Sequence, residues 1–62
     1  MKITGKVNGK VMYDNDNINE NVYTMLLDTG DYVTIRVSNT RADKVGLDIG
    51  DCVALTIEKV AN

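Results

Sequence analysis

Thr4-Gly5-Lys6 sets a hydroxyl, a backbone N–H free of side-chain bulk and an ammonium in three consecutive residues. Ser38-Asn39-Thr40 supplies a second run of hydroxyl and amide donors. Such groups suit a small oxyanion, because hydroxyls, open amides and one cation can surround negative charge without a large net field. Each also has an ordinary use: Lys6 can face water, and Thr40 can cap a helix. The expected ligand-binding residues are therefore Thr4, Gly5, Lys6, Ser38, Asn39 and Thr40.

Catalysis finds little to work with. The chain has no histidine, the usual proton acceptor near neutral pH and the commonest metal ligand. Cys52 has no histidine to activate it and reads as a small buried hydrophobe. A single thiol suits a reducing cytoplasm, the expected location. Asp28 and Asp31 lie around Gly30, and Asp48 and Asp51 around Gly50, so both acidic pairs read as turn carboxylates. The stretch Asp14–Asn21 carries oxygen ligands that calcium prefers, but not the spacing of an EF-hand, and reads as a solvated loop. The expectation is a non-enzymatic binding module without catalytic residue, metal or cofactor.

Nucleic acid is a weaker candidate partner. Seven Lys and Arg against nine Asp and Glu give a net charge of -2, so no broad positive field draws in phosphate. Lys2, Lys6 and Lys10 recur every four residues, and in a straight strand they share one face. With Arg36 or Arg41 they would form a local basic stripe, and Tyr13, Tyr23 and Tyr32 are the available stacking platforms. No apolar run approaches a membrane span and no signal-peptide core is present, so no membrane is expected.

The elements that must position these groups are mostly strands. Eight valines, five isoleucines and six threonines, with no proline, are residues whose branching at Cβ suits a pleated face. In Tyr32–Ser38, Val33, Ile35 and Val37 fall on one face and Thr34, Arg36 and Ser38 on the other. Residues 22–27 are apolar on both faces, as expected of a strand with a core on one side and an interface on the other. Asp28-Thr29-Gly30-Asp31 joins the two as a hairpin turn. Val53, Leu55 and Ile57 alternate in a last strand. Lys2–Val7 and Lys10–Tyr13 read as one strand bent at Gly9, or as two short ones. Thr40 with Asp43 predicts a capping box, and Gly46 a helix stop, for one short helical turn near residues 40–46.

This order predicts a single all-β domain over residues 1–62, a small OB-like β-barrel of about five strands whose closure hides its edges. A chain of 62 residues buries only roughly 60% of its extended surface. With one cysteine it has no internal disulfide, so self-association as a dimer or higher oligomer is expected.

Several of these residues carry a family resemblance. Met1-Lys2-Ile3-Thr4, Gly9-Lys10-Val11 and the segment Thr40–Ile57, with Val45-Gly46-Leu47, Gly50-Asp51 and Val53, resemble the molbindins and the related TOBE domains. That resemblance implies an OB-like barrel that assembles and binds molybdate or tungstate between subunits. Thr4-Gly5-Lys6-Val7 stands where that family normally reads Ser-Ala-Arg-Asn, keeping a hydroxyl and a charge without the asparagine. Arg36-Val37, Ala42–Gly46, Leu47, Gly50-Asp51 and Val53 are also similar to AbrB- and MazE-like swapped-hairpin proteins, which implies a dimeric DNA-binding regulator. The expected function is small-oxyanion binding at a subunit interface. The alternatives are that DNA-binding regulator and a protein-interaction or structural module with no small ligand.

Overall fold

Alternating branched and apolar residues carry four strands and one helix in the computed structural model of the chain, which describes residues 1–61. In chain order these are β1 (Lys2–Asp14), β2 (Asn19–Leu27), β3 (Tyr32–Ser38), α1 (Asn39–Val45) and β4 (Cys52–Thr56). The strands form one sheet in the order β3-β2-β1-β4, antiparallel at every pairing.

One face of the sheet is the core. Val7, Tyr23, Met25 and Leu27 are buried on it, with Ala42 of α1 above them. Ile35, Val37, Leu47, Val53 and Leu55 pack around that cluster. The chain between the edge strands β3 and β4 runs over this inner face as α1 and the loop that follows, so a single crossover supplies the whole second layer. The helix is held at both ends. Ser38 Oγ accepts from the Arg41 N–H at 3.3 Å, and Gly46 takes a left-handed φ of 69° while its N–H bonds the Ala42 carbonyl. Expected at Thr40, the N-cap is in fact Ser38, because β3 keeps extended geometry through that residue.

The architecture is a small mixed α/β domain with an open sheet. This overturns the expected closed, all-β OB-like or TOBE-like barrel. Two physical facts decide it. Lys2–Asp14 stays one strand, bent but unbroken, so there are four strands rather than five. And β3 and β4 lie at opposite edges of the sheet, where closure would need them paired. The bend is a β-bulge: register shifts between Val7 and Gly9, leaving Asn8 as the extra residue.

The hairpin between β2 and β3 turns through residues 28–31, with Gly30 at φ 90° and its N–H bonded to Leu27 O at 2.9 Å. Between β1 and β2, Asn15 Oδ1 accepts from the N–H groups of Asn17 and Ile18, both at 2.9 Å. This side-chain turn is tight enough for β2 to begin at Asn19, inside the stretch read as loop.

Candidate functional site

Thr4, Gly5 and Lys6 lie together on β1 and line an open depression with Asp28, Cys52 and Ala54. Thr4 and Lys6 project from the outer face, the one α1 does not cover. Gly5 points inward, where a Cβ would stand 2.6 Å from the Leu26 carbonyl oxygen and 2.9 Å from Leu27 Cα. Glycine is required there by close strand approach, whatever the ligand. The Thr4 hydroxyl donates to the Asp28 carboxylate, and the Asp28 N–H donates back to Thr4 O at 2.9 Å. The depression therefore holds one cation, Lys6, and one fixed carboxylate. That carboxylate opposes an anion. Cys52 is exposed, not buried: Val53 and Leu55 face the core, so strand alternation turns its thiol outward opposite Lys6.

Ser38, Asn39 and Thr40 stand at the other end of the molecule. Thr4 is bonded to Asp28 and Ser38 is paired with Glu20, so eight residues of β2 separate them, roughly 26 Å at the rise of a strand. Two of the three are already engaged. Ser38 caps α1, and Asn39 Oδ1 accepts from the Asn21 amide at 2.8 Å while its own amide donates to Tyr13 O at 2.9 Å. Asn21 is the buried polar residue of the core, 2% exposed, and Asn39 is what satisfies it. One chain does not bring its two donor groups together.

The bulge also divides the lysines. Before it, Lys2 and Lys6 pair with Thr56, Cys52 and Leu26 on the outer face. After it, Lys10 pairs with Tyr23 on the inner face, because one extra residue reverses the side-chain alternation. Lys10 Nζ lies 5.9 Å from the Tyr23 ring centroid and bonds Asp48 Oδ1 at 3.1 Å. The hydrogen bond to Asp48 raises the Lys10 pKa above the ordinary lysine value, against the opposing effect of desolvation. Arg36 is likewise taken up, by Glu20 at 2.6 Å. The basic stripe expected of Lys2, Lys6 and Lys10 does not form.

The outer face itself is the larger feature. The register places Val11 opposite Val22, Thr24 opposite Thr34 and Leu26 opposite Tyr32 on it. Val11 is 50% exposed, Leu26 39% and Tyr32 64%. Two-sided apolar character in residues 22–27 is the sequence signal that points to this surface. Among the described residues, no group of three Cys, Asp or Glu side chains could hold a metal ion, and no helix is long and apolar enough to cross a membrane. Neither a protein-family model, nor a curated protein, nor a solved structure matches the chain.

Proposed function

We propose that this chain is a non-enzymatic interaction module whose working surface is the outer face of its sheet. One observation carries the reading: that face presents Val, Thr, Leu and Tyr side chains in cross-strand rows, while the single helix covers only the other side. An antiparallel sheet can leave one face in water, and it is the contiguous apolar side chains on that face that mark a contact surface. The charged groups on it are few, Glu20 paired with Arg36 and Lys2 and Lys6 at the far end. That positive set is too sparse for a phosphate backbone, which favours a protein surface over nucleic acid.

The test uses two lysine substitutions of similar size. Thr24→Lys sits in the middle of the outer face, and Asp43→Lys sits on the exposed side of α1. Native mass spectrometry of the gently purified protein should show associated mass that Thr24→Lys removes and Asp43→Lys retains. A bare chain in the wild type, or an assembly indifferent to Thr24→Lys, contradicts the reading.

A second reading keeps a small oxyanion in the seam between two copies. Lys6 favours it, since its ammonium lines the depression and has no salt bridge among the described residues. The Ser38–Thr40 donors would then have to come from another chain. Calorimetry against molybdate, tungstate, sulfate and phosphate tests this; heat lost in Lys6→Ala with assembly unchanged supports it, and no heat with any of the four rejects it.

A further inference from the structure

The proportions of the molecule say what covers the outer face. Its principal extents are 37 × 34 × 19 Å, a slab one sheet and one helix thick. The radius of gyration is 12.8 Å, where a compact domain of this length has about 10.6 Å. The accessible surface is 4789 Å², roughly 800 Å² more than a compact monomer of 6.8 kDa exposes. A stable interface of standard size takes roughly 800 Å² from each partner, an area that one uncovered face of a slab with these extents can supply.

We infer that the outer face is covered by the same face of a second copy, giving a two-fold sandwich of two sheets with α1 on each outside. This rests on the interaction-module reading and names its partner. Lys2 and Lys6 stand at one end of the face and Glu20 with Arg36 at the other. Glu20 is already bonded to Arg36, so an antiparallel two-fold sets each lysine end over a neutral pair and keeps the two lysine ends apart. The centre is Val22, Thr24 and Leu26 with Val11 and Thr34, flanked by Arg36 beside Val22 and Lys6 beside Leu26, and sheet faces of this kind stack about 10 Å apart with side chains interdigitated. A self-complementary patch of this kind closes at two copies and does not propagate into a fibre.

Sedimentation equilibrium decides the matter, with the wild type, Thr24→Lys, and an edge variant, Val33→Pro, which blocks pairing along β3. Circular dichroism on all three establishes that each is folded; if Val33→Pro is not, Val33→Lys, an inward-pointing charge on the same edge strand, takes its place. The expected result is a wild-type mass of twice 6.8 kDa, a monomer for folded Thr24→Lys, and a dimer for the edge variant. A dimer lost only in the edge variant overturns the inference, since copies would then join edge to edge. A monomeric wild type whose outer face binds a different protein also overturns it while leaving the interaction-module reading in place. A monomer with no binding at that face removes both.

Discussion

The two faces of the sheet are made from the same strands and treated oppositely. On the inner face Tyr23 and Met25 are each 2% exposed, Asn21 is satisfied by Asn39, and the crossover from β3 to β4 supplies a second layer. On the outer face, comparable cross-strand rows of Val, Thr and Leu meet no layer from their own chain. A chain of this length has enough residues to cover one side of a four-stranded sheet. The difference teaches that this chain covers one face of its sheet from within and leaves the other open to solvent or to a partner.

The largest expected effect lies on the inner face. Tyr23→Ala should cost about 3–5 kcal/mol, enough to leave a marginal domain unfolded, as read by urea denaturation. Gly5→Ala should come close behind, at about 3 kcal/mol, because its Cβ would strike backbone rather than a movable side chain. Asn39→Ala strands the buried Asn21 amide, and a cost of about 1–3 kcal/mol is expected from the same measurement. If Tyr23→Ala were no more damaging than an outer-face change, the contrast between the faces would collapse.

Leu26→Lys sharpens the contrast from the other side. In an isolated chain a change at a half-exposed position should fall within about 0.5 kcal/mol. In the two-fold sandwich it places an ammonium in the interface, so stability should fall and lose its dependence on protein concentration. The smallest effect belongs to Lys10, whose side chain is 32% exposed. Its pKa is raised in the folded state, so its contribution is present below the ordinary lysine value of about 10.4 and lost as pH rises through the raised value. Lys10→Met should remove that alkaline loss and change little at neutral pH, because the pair with Asp48 is exposed.

Much of the inner face was legible in the sequence. Val33, Ile35 and Val37 announce which side of β3 is buried, and Gly30 and Gly46 take the left-handed conformations that a hairpin turn and a helix stop require. Closure was not legible, because alternation reports which face is buried and is silent on whether the edges meet. The lysine stripe failed for a related reason. A spacing of four places side chains on one face only in a regular strand, and the extra residue at Asn8 turns Lys10 to the opposite side. Of the six candidate site residues, Gly5, Ser38 and Asn39 have structural duties that their types alone do not reveal. Cys52, by contrast, could have been placed from its neighbours, since Val53 and Leu55 inward require it outward.

The central claim, that the outer face is an interface between copies, is tested most directly by methyl NMR with a soluble paramagnetic agent that broadens whatever water can reach. The methyls of Val11, Val22 and Leu26 should be shielded from it as Val7 and Met25 are, and should become broadened in folded, monomeric Thr24→Lys. Wild-type Val11, Val22 and Leu26 methyls as strongly broadened as those of exposed Ile49 and Val60 would contradict the account.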